Sequence, residues 1–372
     1  MTTTLGADAA ASTAEPLFRC GATAVAVVVE EEGAGVVVDI GGDLVLESNS
    51  LQKLSTAGAV LLDAGPGLRF CTSLRTTGDD LVFVASGDPT FGADDLARLC
   101  AAAAASGVRQ VRSLVVDDTR HDRLCSVPGW KDYYVPGFMG PLSAFVLDRN
   151  RYRRDDDYVA DPVAANAVRV VDALGEAGVA VGGGWRLGVA PADAVVVAEH
   201  SSAPWVSIVA DMVRASDSFT AELLTKELGG GTTAGGLAAV DAVAARLRVP
   251  RAGGTTSADG SGLAAATTDT ARRQVAWLRA MAGTAVGDAF RRCLPVAGTS
   301  GTLAARFRGT AAAGAVQAKT GTRRLHGTVN LAGYATTTSG RSLRFAVTLT
   351  GAPSQADATA AVDAAVVALV EQ

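Results

Sequence analysis

This 372-residue chain holds four lysines, Lys53, Lys131, Lys226 and Lys319, and one of them stands where it could activate a hydroxyl. Ser50 and Lys53 lie three apart in Ser48-Asn49-Ser50-Leu51-Gln52-Lys53-Leu54. Leu51, Leu54, Leu61 and Leu62 recur at helical spacing, and Gly65-Pro66 supplies a stop. On that reading Ser50 sits in the first turn of a buried helix, with Lys53 one turn later on the same face. A hydroxyl at a helix N-terminus feels the positive end of the dipole. A lysine in apolar surroundings loses its proton more readily and can act as a base. Together they would form an activated serine. Ser-x-x-Lys alone also describes a surface lysine on an ordinary helix, so the rest of the chain has to decide.

Two further segments join this pair. Ser216-Asp217-Ser218-Phe219 falls near a helix start or an interhelical loop, and Lys319-Thr320-Gly321-Thr322 follows an apolar approach. Ser-x-x-Lys, Ser-x-Asn and Lys-Thr-Gly, in that order, define the penicillin-recognising acyl-serine enzymes. In a chain with only four lysines, two of them in motif positions are hard to obtain by chance.

Composition narrows the alternatives. Hydrophobic residues make up 48% and charged residues 19%, a globular balance at a length that allows two domains or one large one. No apolar run is long enough for a transmembrane segment. A net charge of −5 argues against nucleic acid as the principal partner. The five cysteines (Cys20, Cys71, Cys100, Cys125, Cys293) are scattered without C-x-x-C and read as small buried apolar residues. A Cys71–Cys100 or Cys100–Cys125 disulfide stays open for an oxidising compartment. His121, His200 and His326 carry no H-E-x-x-H, and no G-x-S-x-G occurs, so neither a metal nor another cofactor is expected. Met1 to Glu15 is polar with no basic residue before Arg19, unlike a secretory signal peptide. Either the protein is cytoplasmic or a signal has been trimmed or lies upstream.

The elements that must position these residues follow from periodicity. A flexible start, residues 1–18, precedes a hairpin of Ala22–Val29 and Gly35–Ile40. From 70 to 200, strand-like pieces (Leu81–Ala85, Val111–Val116) alternate with helical ones (Ala93–Ala105, Pro162–Ala177), which suggests an inserted α/β unit with its own core. Trp130, Tyr133 and Tyr134 read as its apolar seal. Helical spacing returns over Ile208–Leu228 and Leu237–Leu247. A Gly/Ser/Thr loop spans Gly253–Gly262, with Asp259 and Ser261 read as turn-shaping residues. A helix from Thr268 to Met281, with Thr268 or Asp269 as its cap, comes next. Strands at Ala315–Lys319, Thr328–Ala335 and Ser342–Thr350 and a helix at Gln355–Leu369 close the chain. Residues 19–69 and 201–372 would thus form one domain around a sheet whose edges come from opposite termini.

Beyond the triplets, the chain resembles the D-alanyl-D-alanine carboxypeptidase/endopeptidases of the low-molecular-mass class C penicillin-binding proteins, peptidase family S13 (DacB-like). The matching stretches are SLQKLSTAGAVLL, GDPTF, GPLSAFVLD, SDSFTAELL, ADGSGL, LPVAGTSGTLAARFRGT and AKTGTRRLHGTVNLAGYA, in family order over roughly Val36 to Thr350. The resemblance implies the α/β β-lactamase/transpeptidase-like fold, a mainly antiparallel five-stranded sheet flanked by helices, with an inserted α/β domain. It implies a serine hydrolase acting on peptidoglycan stem peptides or related D-amino-acid substrates, acylated by β-lactams and located outside the cytoplasm. Carried over by position, Ser50 is the nucleophile, Lys53 its base, Ser216 the proton relay to the leaving amine, and Lys319 the source of the local field. Thr320 and Thr322, across Gly321, hold the substrate carboxylate, and the N–H groups of Ser50 and Thr322 form the oxyanion hole.

This sequence departs from the family pattern in three places. Ser218 stands where the second motif has Asn, and a hydroxyl offers fewer hydrogen bonds and a shorter reach than an amide. The interval between Lys53 and Ser216 is short for the two extra domains that relatives usually carry. Arg323-Arg324 follows Lys-Thr-Gly-Thr where smaller or apolar residues are common, either pointing to solvent or altering which acyl chain fits. Two other readings stay open: an esterase, thioesterase or amidase on the same fold, and a catalytically weak cell-wall-binding homologue, the latter suggested by Ser218.

Overall fold

The computed structural model describes residues 7–151, 153–154, 157–158 and 161–372. The chain divides into two compact units. The first comprises the residues up to Pro66 with Val209–Ala221 and Leu237–Gln372, and the second Gly67–Ile208 with Glu222–Gly236.

The first unit is built on a five-stranded antiparallel sheet in the order Val316–Arg323, Thr328–Thr336, Ser342–Thr350, Ala24–Glu31, Gly35–Ile40. Strands from both ends of the chain therefore share one sheet, as the apolar runs predict. Ala24–Glu31 is buried along nearly its whole length, which explains its unbroken Val-rich run: a strand covered on both faces has no solvent side to keep polar. On one face Val27, Val29, Leu331 and Val347 pack with Leu17, Val362 and Val366 from the helices Ala7–Arg19 and Gln355–Val370. Each fully buried aliphatic side chain of this kind contributes about 1.5–3 kcal/mol. Against the sheet also lies the helix Ala271–Ala282. Its Leu278 carbonyl accepts from Tyr334 Oη at 2.8 Å, and its Trp277 donates to the Leu54 carbonyl at 3.2 Å.

Four local expectations need correction. Ala7–Arg19 is helical, although the start of the chain reads as flexible. Its Leu17 is fully buried against the C-terminal helix, a partner too distant in sequence to be seen from composition; residues 1–6 lie outside the described residues. The cap of the Ala271 helix is Thr270, whose hydroxyl accepts from Arg273 N at 3.1 Å. Thr268 and Asp269 instead pair as a short strand with Leu46–Glu47. The single helix expected over Ile208–Leu228 is two helices, Trp205–Ala215 and Ser218–Leu228. The break is at Ser216, whose φ of 58° no helix accommodates. The fourth concerns Ser50 and is described with the site.

The second unit has its own core and its own five-stranded sheet, ordered Trp185–Leu187, Leu114–Asp117, Asp80–Val84, Cys71–Thr77, Val195–Ser201. The first two pairings are parallel and the last two antiparallel. Helices Ala93–Ala105 and Pro162–Glu176 supply Leu96, Leu99, Val170 and Leu174 to the core. Asp161 caps the second of these, accepting from Val163 N at 3.0 Å. Its limits differ from the span 70–200 read from sequence, because Glu222–Gly236 joins it through charge pairs: Lys226 donates to Asp122, and Glu227 meets Arg120 and His121. The five cysteines are free thiols, and burial pushes that of Cys100 up to about 12. Among the described residues, no helix is long and apolar enough to cross a membrane.

Candidate active site

Ser50 lies in a 3₁₀ turn, Asn49–Leu51, that runs directly into the helix Gln52–Ala59. It thus precedes the α-helix instead of occupying its first turn, while Lys53 lies in that turn. Asn49 holds a left-handed φ of 46°. Its carbonyl lies where a Cβ on Gly262 would come within 1.7 Å, so residue 262 must be glycine. Lys53 is fully buried. Its Nζ is 3.2 Å from Ser50 Oγ, 3.1 Å from Ser218 Oγ and 2.7 Å from the Ser261 carbonyl. A neutral amine has two N–H donors and one lone pair. Once Lys53 is discharged, that lone pair is within reach of the Ser50 hydroxyl proton.

Ser261 owes its place to Asp259, which is buried and accepts from Gly262 N at 2.8 Å, Ala264 N at 2.7 Å and Thr267 Oγ1 at 2.8 Å. The reading of Asp259 as a turn-shaping residue agrees with this geometry. What that reading missed is that the turn aims the Ser261 carbonyl at Lys53. The only signal in the sequence was the ADGSGL stretch itself, because a backbone acceptor leaves no mark in residue type.

Lys319 approaches from the strand Val316–Arg323. It is fully buried, and its Nζ donates to Ser216 Oγ at 2.8 Å and to the Thr320 carbonyl at 2.8 Å. Burial, with the charge of Lys53 nearby, pushes its pKa well below the ordinary lysine value. Ser216 and Ser218 are separated by Asp217, which caps the second helix of the broken pair by accepting from Phe219 N at 3.1 Å. The left-handed Ser216 and this cap together turn one hydroxyl toward Lys319 and the other toward Lys53. Thr320 Oγ1 is hydrogen-bonded to Thr302 Oγ1 at 2.8 Å. Thr302 follows Gly301, where a Cβ would stand 2.6 Å from the Arg214 carbonyl, so the LPVAGTSGTL segment packs on the turn that carries Ser216. A Cβ on Gly321 would meet Asn330 Oδ1 at 3.0 Å and Asn49 Cβ at 3.2 Å; glycine here lets the strand lie over the Ser50 turn. Thr322 is exposed.

Ser50, Lys53, Ser216, Ser218, Lys319 and Thr320 therefore converge, in two hydrogen-bonded groups centred on the two lysines. Arg323 belongs beside them: half-buried, it points not to solvent but to Asn49, Glu47 and the Leu263 carbonyl. Arg324 is exposed. Trp130 and Tyr134 are buried and Tyr133 is exposed, all within the second unit.

A model of the D-Ala-D-Ala carboxypeptidase 3 (S13) family matches residues 7–157 and 158–372. The chain belongs to this family. It is 31% identical over 425 residues to the D-alanyl-D-alanine carboxypeptidase of Actinomadura sp. (strain R39), an alignment covering 89% of this chain and 78% of that protein. Among solved structures, penicillin binding protein 4 (dacB) from Haemophilus influenzae superposes with a TM-score of 0.81 at 20% identity, over 93% of this chain and 94% of that one. The same Haemophilus protein complexed with a novel β-lactam gives a TM-score of 0.78 at 19% identity, covering 93% of each chain. The fold is accordingly the α/β penicillin-binding-protein fold that the motifs imply.

Proposed function

We propose that this chain is a serine-type D-Ala-D-Ala carboxypeptidase/endopeptidase that cleaves peptidoglycan stem peptides through an acyl-enzyme on Ser50. The observation that carries the reading is the buried Lys53 amine, 3.2 Å from Ser50 Oγ and also in contact with Ser218 and Ser261.

In the first step Lys53 takes the Ser50 proton as Oγ adds to the penultimate D-Ala carbonyl. The Ser50 and Thr322 N–H groups receive the oxyanion. The C–N bond then breaks, and the departing D-Ala amine takes a proton from the Ser216 hydroxyl, which Lys319 replenishes across 2.8 Å. Before the second half-reaction the proton held by Lys53 passes through solvent to the discharged Lys319; Lys53 then deprotonates a water that adds to the acyl carbonyl, and it returns that proton to Ser50 Oγ as the ester C–O bond breaks. Thr322, with Thr320 braced by Thr302, holds the terminal carboxylate near the positive field of Lys319. Val316–Arg323 is the edge strand of its sheet, so an extended stem peptide can lie along it as an added strand. A β-lactam enters by the same path, and its strained amide leaves Ser50 acylated. The second unit is an inserted domain, and the protein works on the wall side of the cytoplasmic membrane.

Incubation with a fluorescent penicillin, read by intact mass, is the test. The native protein gains one covalent adduct, Ser50→Ala gains none, and a D-Ala-D-Ala peptide releases D-Ala only with the native chain. Absence of an adduct on the native protein overturns the proposal. An adduct without D-Ala release points instead to an esterase, thioesterase or amidase, or to a weak wall-binding homologue.

A further inference from the structure

We propose that Arg323, acting through Asn49 and Glu47, is a positioning residue that locks the nucleophile's turn, the Ser261 loop and the Lys-Thr-Gly strand into one register; the proposal rests on Ser50 being the acylated residue. The Arg323 side chain is only 11% exposed. Its Nε donates to Asn49 Oδ1 at 3.0 Å and lies 2.9 Å from Glu47 Oε2, while Nη2 donates to the Leu263 carbonyl at 3.1 Å. Each contact belongs to a different part of the site. Asn49 immediately precedes Ser50, Leu263 follows Ser261 by two residues, and Arg323 itself follows Thr322.

The network continues behind the turn. Asn49 Nδ2 donates to Asn330 Oδ1 at 2.9 Å, and the fully buried Asn330 donates to the Glu47 carbonyl at 3.0 Å and to Thr348 Oγ1 at 3.0 Å. Asn330 sits directly across the sheet from Gly321, so this chain of amides ties the Ser50 turn to the strand pair. Glu47 Oε1 completes it with His326 Nδ1 at 2.8 Å. A non-glycine residue keeps a left-handed φ only when its surroundings over-determine it, and for Asn49 those surroundings are Arg323 and Asn330. The two N–H groups proposed for the oxyanion hole, on Ser50 and Thr322, each adjoin a residue of this pair. Displacing catalytic groups by about 1 Å costs roughly 100-fold in rate, so the pair has leverage on acylation without touching substrate. Arginine suits the task because its planar fork donates in fixed directions, which a lysine ammonium does not reproduce.

The experiment resolves penicillin acylation of the full chain into the dissociation constant of the non-covalent complex and the rate constant for covalent capture. Arg323→Met and Asn49→Gly, the latter free to keep the left-handed turn, each slow capture by roughly 10- to 100-fold with the dissociation constant within about twofold. The double variant is no slower than the slower single, because both remove one device. Arg323→Lys, which keeps charge and bulk and guards against a misfolded Met variant, captures at an intermediate rate. Arg324→Met, altering the exposed neighbour, changes neither constant. Capture at the native rate in the single variants, losses that multiply in the double, or a loss confined to the dissociation constant overturns the inference. A native protein that forms no adduct, or a Ser50→Ala variant that still does, fails the acyl-enzyme reading instead.

Discussion

In the unit that carries Ser50, the buried amine of Lys319 donates to the Ser216 hydroxyl and the Thr320 carbonyl. In the second unit, the equally buried Lys226, 1% exposed, donates to the carboxylate of Asp122. The same contrast extends to their neighbours. Glu227 in the second unit is likewise braced by Arg120 and His121, and Asp80 by Arg112 and Arg186. The consequences for charge are opposite. Burial and the neighbouring Lys53 drive the Lys319 pKa far down. Burial alone would raise that of Glu227, but its contacts with His121 and Arg120 outweigh it and hold the carboxyl below its ordinary value. Charge that is paired stays charged and glues segments together; an amine facing hydroxyls is easily discharged and can exchange protons. One unit spends its buried lysine on cohesion, the other on reactivity.

Lys319→Met should break this comparison most widely. Penicillin capture falls by about 10³-fold, the range lost with a positioned proton-transfer group, yet the fold gains. Burial makes the charged form of Lys319 costly in the native protein, while in the unfolded chain it keeps its proton up to the usual 10.5. Between the lowered folded value and 10.5 the unfolded chain binds the extra proton, so raising the pH across that window stabilises the native protein. Removing the amine removes the cost. The melting temperature of the variant therefore exceeds that of the native chain at pH 7, and the gap closes as the pH approaches 10.5. A variant less stable than the native protein at pH 7 would show that Lys319 is a structural cation like Lys226.

The converse substitution is Asp122→Ala. It strands the Lys226 ammonium in a site with almost no access to water, and breaking a buried pair in this way costs about 3 kcal/mol or more. Denaturant melts of the native and variant chains should differ by that amount in the transition of the second unit. Below the transition, penicillin capture at Ser50 stays at the native rate. If capture falls in step with stability, the division between a cohesive and a reactive lysine is wrong.

How much of this contrast the sequence reveals depends on whether a contact is written in residue type. Ser50, Lys53 and Lys319 are legible because the proposed nucleophile, base and field need particular side chains at particular spacings, and four lysines leave little background. The five-stranded sheet is legible from runs such as Ala24–Glu31, whose burial on both faces demands continuous apolar character. The Ser261 carbonyl was invisible, since any residue offers a carbonyl and only the Asp259 turn determines where it points. The helix Ala7–Arg19 was missed because its partner is the other end of the chain. For Arg323 the sequence leaves solvent exposure and an effect on the acyl chain both open, because the acceptors that hold it, Asn49 and Leu263, lie 274 and 60 residues away.

Ser218 tests the reactive side of the comparison most finely. It opens the helix Ser218–Leu228 and is 9% exposed, with its oxygen 3.1 Å from Lys53 Nζ. As an acceptor for the Lys53 amine a hydroxyl suffices, so the shorter side chain keeps this contact. What it lacks is the second arm of an amide, able to donate to a substrate carbonyl while its oxygen holds the lysine. One such hydrogen bond contributes about 1 kcal/mol, so Ser218→Asn should raise the capture rate by roughly fivefold. Ser218→Ala should lower it by a similar factor through loss of the acceptor. An unchanged rate in Ser218→Asn would mean that the departure from the amide has no effect on turnover.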